Sequence, residues 1–436
     1  MKKFRWGRWV IGGSLIVGLT ACAGDDPPAE QASGDDGGNG DEASEEAENG
    51  GESTEISFIH WRGEDADVFD DIIDQFEDEN PDISVNMNIY PSEEYQSNAQ
   101  QMLRDGSIGD VFTSFPGSQF EAIQGAGFFE DISDEDFVDN FDEGSVDVGQ
   151  GEDGTQYALP YQLVFNMPVY NKGMFEDLDI DVPQSWDEFH EMGETLLEND
   201  ITPIAFPGGD IGPNQFMNSM MMNNAPDEDV FGQVEAGEET LPGGWWEETL
   251  EHFQELQENN FFQDNALGTQ EEAAISMVAN EEAAMLATGS YHMASLKGYN
   301  EDLDLDLMAP ITVDEDEAQF EGIHTATFML AVNANSEVQE EAKTFIDFLS
   351  QPDVASQYAN ETGQHLTVDG VDYESEELQE TSYWIDEMNT RFQPRFLITN
   401  SQVENAVLAS IENVLDGESP EAAAEQAQTI IDENID

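Results

Sequence analysis

A two-lobed α/β protein is the class this sequence predicts. Three observations lead there. The stretch from Glu55 to Asp436 is about 380 residues, enough to bury a large core and more than one typical domain holds. Its first 40 residues read strand, helix, strand, which is a βαβ unit and implies parallel pairing. A further helix and strand follow, to Ser114, and the middle beyond is mostly helical.

The elements follow in order. Ile56-Ser57-Phe58-Ile59-His60-Trp61 is a short apolar strand. Over Asp67 to Asn80, Val68, Phe69, Ile72, Ile73 and Phe76 form one helical stripe, and Asn80-Pro81 ends it. Ile83 to Ile89 alternates as a half-buried strand does. A helix around Tyr95 to Asp105 leads into a strand at Asp110 to Ser114. In open parallel sheets ligands sit beyond the carboxyl ends of strands, which places Trp61-Arg62-Gly63 and Ser114-Phe115-Pro116-Gly117 near a site. The middle reads as mostly helical. Ser185 with Glu188 three residues on makes a capping box, and Trp245 to Asn259, Gln270 to Asn280 and Ser336 to Ser350 are further helices. Ser401 to Asp416 and Ser419 to Asn434 close the chain as two helices parted by Gly417. Met217, Met220, Met221 and Met222 are expected to fill core rather than bind metal.

The N-terminus has a different character. Lys2, Lys3, Arg5 and Arg8 precede an apolar run from Val10 to Ala21, the pattern of a secretory signal. The run is about 12 residues, too short for a spanning helix of about 20. Leu19-Thr20-Ala21-Cys22 holds the only cysteine of the chain and resembles the lipobox of prokaryotic lipoproteins. Residues 1–21 are therefore expected to be a signal peptide, with Cys22 lipidated. Residues 22–54 are acidic and small; from Ala23 to Thr54 no aromatic, Ile, Leu or Val occurs. They are expected to be a disordered tether.

The chain carries 97 acids against 11 bases, a formal charge of −86. Removing the signal leaves seven bases and a charge of −90. At molar salt the Debye length falls to about 3 Å, which screens most of that self-repulsion. A charge spread over every segment points to a high-salt habitat rather than to a local patch. Seven scattered bases make no basic patch to neutralise phosphates, so nucleic acid is not expected as a partner. Asp177 to Asp181 with Glu188 imitates a calcium loop, but Val182 stands where such a loop needs Gly and Pro183 follows.

Five stretches, taken in order, resemble one known family. They are "ISFIHWRG", "GDVFTSFPG", "YALPYQLVFNMPVYNKGMFEDLDIDVPQSWDEF", "NEEAAMLATGSYHMASL" and "TFMLAVNANSEVQEEAKTFIDFLSQPDVASQYANETGQHL". Their order and spacing resemble the extracellular solute-binding proteins of ABC importers, in the sugar-binding, maltose-binding-protein-like branch. The resemblance implies a periplasmic-binding-protein-like fold with a cleft and hinge crossings near 160–165, 323–328 and 351–366. It places residues 55–162 with 326–355 in an N-terminal lobe and 163–325 with 356–436 in a C-terminal lobe. It implies a monomeric receptor, held outside the membrane by lipid on Cys22, that closes on a sugar and delivers it to ABC permease subunits. No cofactor is implied. Two departures stand out: Tyr291 replaces the family's usual Trp, and Ile323 to Ala326 replaces a common Gly-Gly.

A sugar needs rings to stack on and planar polar groups to bond its hydroxyls. Trp61, Tyr161, Tyr291 and Phe328 are the candidate platform, and Arg62, Ser114, Gln162, Asn214, Gln215, Ser290 and His324 the polar candidates. Arg62 could equally form an ion pair with Glu64 or Asp65. Trp186 reads as a core residue; Trp245, Trp246, Trp384 and Arg395 are left open. His60, His190, His252 and His365 are scattered and read as structural. No nucleophile elbow, zinc motif or P-loop is present, so the chain is read as a binder and not an enzyme. With so many acids a carboxylate pair at glycosidase spacing carries no information. The same fold binding a polyamine, peptide or iron ligand, and a secreted glycoside hydrolase, are the competing readings.

Overall fold

The computed structural model of the chain describes residues 53–435, apart from 107–108 and 152. The expected signal peptide, Cys22 and nearly all of the expected tether lie outside the described residues. Along the chain, β1 (Thr54–His60), β2 (Ile83–Ile89) and β3 (Val111–Ser114) precede the long β4 (Ala158–Phe165). Then come β5 (Val169–Asn171), β6 (Thr202–Ala205), β7 (Ala283–Leu286) and β8 (Leu305–Leu307). The 11-residue β9 (Gly322–Val332) follows, with β10 (His365–Leu366) and β11 (Thr390–Phe392) last.

Among the described residues these strands build two sheets. One has seven strands in the order β10-β4-β9-β3-β1-β2, with β11 alongside β9; the other has four in the order β6-β7-β5-β8. β1 runs parallel to β2 and β3, as the βαβ pattern requires. β9 runs antiparallel to both β3 and β4, so the larger sheet is mixed.

Each sheet has its own core. Helix Ala66–Glu79 buries Phe69, Ile72, Ile73 and Phe76 on the first sheet, the stripe expected from the sequence. Each such side chain contributes about 1.5–3 kcal/mol on burial. In the second lobe Ser185 caps helix Trp186–Glu198 by accepting from Glu188 N, and Met217, Met220 and Met221 pack in the core. Trp246 packs inward, donating to Ser410 Oγ at 3.0 Å, and Trp245 is buried beside it. Trp186 stacks on Phe189 at 5.3 Å.

The third passage between the lobes comes later than 351–366. Helices Gln339–Leu349 and Pro352–Thr362 belong to the first core, because Phe345 packs on Phe58 at 5.4 Å and Tyr358 on Phe69 at 4.9 Å. The boundary expected after residue 355 thus falls inside that core. Leu378 still belongs to the first core; Ile398 and Val403 belong to the second. The chain therefore crosses between them, with β11 laid against β9.

Candidate functional site

The three crossing segments form the floor of a cavity of about 730 Å³. From the first lobe its walls take Trp61 to Glu64 after β1, Ile89 to Ser92 at the end of β2, and Phe115 after β3. From the second lobe they take Asp210, Ile211 and Gln215 at the start of helix Gly212–Met221, Glu271, Glu272 and Ile275 of helix Glu271–Ala279, and Tyr291, His292 and Ser295. The site therefore lies beyond the carboxyl ends of β1 and β3, where an open α/β sheet leaves a crevice.

One wall is aromatic. Trp61 stacks on Phe115 with centroids 3.8 Å apart and planes 19° from parallel. Phe396, on the third crossing, stands 6.3 Å from Phe115. Gly117 permits that approach. Its φ is +77°, and a Cβ there would stand 2.8 Å from the Phe396 carbonyl oxygen.

Arg62 is committed to the protein. It donates to both carboxylate oxygens of Asp65, at 2.8 and 3.1 Å, and lies 3.1 Å from Glu64. Burial works against its charge, but Asp65 and then Glu64 outweigh it and raise the guanidinium above its ordinary value. Asp65 is 2% exposed and also accepts from Tyr358 OH at 2.5 Å. Gln162 Nε2 donates in turn to that phenol oxygen at 2.6 Å. A buried polar network thus fixes the β1 loop and one floor residue together. His60, under the same loop, accepts from Arg62 N through Nδ1, and burial pushes it down to about 3, so it is neutral.

The floor is polar and uncharged. Gln162, Asn166, Thr325, Thr327 and Gln393 line it and are all buried. Four buried polar atoms of cavity-lining residues have no protein partner: Gln215 Oε1, Tyr291 OH, Thr327 Oγ1 and Gln393 Nε2. Burial, reinforced by Glu271, holds the Tyr291 hydroxyl well above its usual range, so it stays protonated and can both donate and accept. The charged lining residues sit further out. Glu64 and Glu272 are exposed, while Asp210 and Glu271 are half-buried. Glu271 lies 2.8 Å from His292 Nε2.

Of the residues expected from sequence, Trp61, Arg62, Gln162, Gln215 and Tyr291 line the cavity together. Six do not. Ser114 is buried and donates to the Phe115 carbonyl; Tyr161 lies in the core and donates to the Leu349 carbonyl. Phe328 packs beneath Trp61 at 5.0 Å, and His324 bonds Thr390 outside the cavity. Ser290 Oγ is used by Phe165 N, and Asn214 lies off the cavity. The candidate contacts do not include Phe396, Tyr90, Asn166, Thr325, Thr327 and Gln393, and from the stretch placed near a site they take Ser114 rather than its neighbour Phe115. Strand alternation would have found most of the floor: from Gln162, positions 164 and 166 face the same way, and Thr325 and Thr327 lie on one face of β9.

Two α/β lobes, three crossings and a cleft lined from both sides define a binding protein of the hinged, cleft-closing kind. The chain belongs to the bacterial extracellular solute-binding protein family, whose sequence profile matches residues 62–356. It is 22% identical over 346 residues to the multiple sugar-binding protein of Streptococcus mutans, covering 72% of this chain and 76% of that one. Among solved structures it resembles a chitin oligosaccharide binding protein, with a TM-score of 0.78, 17% identity and coverage of 88% and 99%. It also resembles the solute-binding protein RafE in complex with raffinose, with a TM-score of 0.73, 18% identity and coverage of 88% and 100%.

Proposed function

We propose that this protein is an extracytoplasmic receptor, anchored by lipid on Cys22, that closes on a neutral oligosaccharide and presents it to the permease of an ABC importer. The observation that carries the reading is the cavity floor: buried, uncharged and holding both unpaired donors and unpaired acceptors, beside a wall of Trp61, Phe115 and Phe396. Hydroxyls satisfy donors and acceptors alike, and the C–H faces of a sugar ring match aromatic surfaces. The sugar-binding relatives support the same class of ligand.

A polyamine is the nearest competitor, because the outer lining carries Glu64, Asp210, Glu271 and Glu272. It only donates, however, and would leave the buried Gln393 Nε2 donor without an acceptor. Acidic residues also cover the whole chain, so those at the cleft single out nothing. The anchor rests on "GLTACAGDD" and the acidic segment after it.

The test is thermal unfolding of the protein from Ala23 onward in molar salt, against raffinose, stachyose, chitin oligosaccharides, spermidine and short peptides. A ligand at 100 times its Kd adds about 2.7 kcal/mol of stability. A shift with a neutral sugar is the expected outcome. A flat sugar series with a shift from spermidine or peptide would overturn the sugar reading while keeping the cleft. For the anchor, radiolabelled palmitate should enter the wild-type protein and not Cys22→Ser.

A further inference from the structure

The geometry points to Gln393 and Thr327 as the contacts that select the innermost sugar unit, and to that unit being uncharged; this rests on the sugar reading of the cleft. Gln393 follows β11 and is 0% exposed, yet it lines the cavity. Its backbone N–H donates to the His324 carbonyl at 2.8 Å, on the second crossing. Its Oε1 accepts from Asn166 Nδ2 at 2.5 Å, on the first crossing. Asn166 is itself fixed, donating its N–H to the Ile323 carbonyl at 3.1 Å and accepting from Ser219 Oγ at 3.2 Å. Gln393 is thus held from both neighbouring crossings, its backbone by the second and its side-chain oxygen by the first, and its Nε2 is left without a partner. Thr327 stands on β9, is buried, and its Oγ1 is likewise unpaired.

Buried polar groups are nearly always bonded, so two unpaired ones on residues that line a cavity mark where a ligand supplies the partners. A hydroxyl can accept from Gln393 Nε2, and another can donate to or accept from Thr327 Oγ1. Because Gln393 is already held in place, little ordering cost remains for it on binding. The same floor rejects charge. The buried guanidinium of Arg62 on the wall is taken by Asp65 and Glu64, and the floor offers only amides, hydroxyls and the aliphatic Val164. A uronate or a glucosammonium unit would be desolvated there without a counterion.

Gln393→Met, Thr327→Val and Thr327→Ser test this by calorimetry in molar salt. The probe is whichever of raffinose, stachyose and diacetylchitobiose the unaltered protein binds most tightly. Gln393→Met and Thr327→Val should each weaken binding tenfold or more, and Thr327→Ser, which keeps the hydroxyl, should retain it. Trigalacturonate and chitosan trimer should not bind. Unaltered affinity in Gln393→Met overturns the assignment, as does tight binding of either charged oligomer. Should Gln393→Met fail to fold, the Thr327 pair decides it, and equal affinity in Val and Ser variants overturns it. If no neutral sugar binds the unaltered protein, the sugar reading itself falls, a result distinct from sugar binding that ignores these two residues.

Discussion

Tyr358 donates its hydroxyl to Asp65 at 2.5 Å across 293 residues of sequence. The bond joins helix Pro352–Thr362 to the loop after β1, and Gln162 adds its own donor to the same phenol oxygen. Tyr358→Phe should therefore strand the Gln162 amide in a buried place. A loss of about 1–3 kcal/mol in urea unfolding of the ligand-free protein is expected. Unchanged stability would show that the network does not hold the loop.

Arg62→Met should cost more. It leaves the Asp65 carboxylate buried with its charge uncompensated, worth about 3–5 kcal/mol. Arg62→Lys should recover only part of this, because an ammonium cannot reproduce the two-pronged contact. Unfolding midpoints of the three proteins at one salt concentration check the order.

Tyr291 owes its place to the absence of a side chain at Gly289. A Cβ there would stand 2.5 Å from the Tyr291 ring and 3.0 Å from the Phe165 carbonyl oxygen. Gly289→Ala should displace the ring and weaken sugar binding by roughly tenfold, about 1.4 kcal/mol, with the fold retained. Tyr291→Phe keeps the ring and loses only the hydroxyl, so a smaller loss of about 0.5–1.5 kcal/mol is expected. Titration calorimetry separates the two, and Tyr291→Ala should abolish binding.

Acid should destabilise the protein before its carboxylates titrate. Burial lowers His60 to about 3, and His252 and His365 each to about 4. In the unfolded chain they titrate near 6.5. Below that pH the unfolded state takes up protons that the native state refuses, so stability falls as pH drops from 6.5 towards 4. Each histidine accounts for at most about 1.4 kcal/mol per pH unit. Urea midpoints at pH 7 and 5.5 in molar salt should differ accordingly, and His252→Gln should reduce the difference. Equal midpoints would show that these rings are not held neutral.

Salt should act in the opposite sense. With 97 acids against 11 bases, raising sodium chloride from 0.15 M to 2 M should raise the unfolding temperature and slow unfolding. A melting temperature indifferent to salt would refute the high-salt reading of the composition.

The elements that sequence reasoning placed well are those with a strong period or a chemical punctuation mark. The stripe of Phe69, Ile72, Ile73 and Phe76, the Ser185 cap and the closing helix, Pro420–Asn434, lie where expected. The second lobe's sheet was not legible. β5 to β8 are three or four residues each and largely buried, so no alternation distinguishes them from helix ends. At the site, several errors were of one residue. Tyr161 was chosen with Gln162, Ser114 in place of Phe115, and Phe328 in place of Thr327. In a strand one residue is the difference between core and cleft. Gln393 carried no local signal, because its importance comes from two crossings far away in sequence.

The threading of the larger sheet also bears on how the chain is made. β9 lies between β3 and β4, and helices from residues 339–362 cover the same core, which closes only with Leu378. The second core in turn waits for the helices Ser401–Leu415 and Pro420–Asn434. A nascent chain emerging from its N-terminus therefore has neither core complete until synthesis is nearly finished. Through most of translation it therefore carries no finished core that would have to be pulled apart before the chain left the cell.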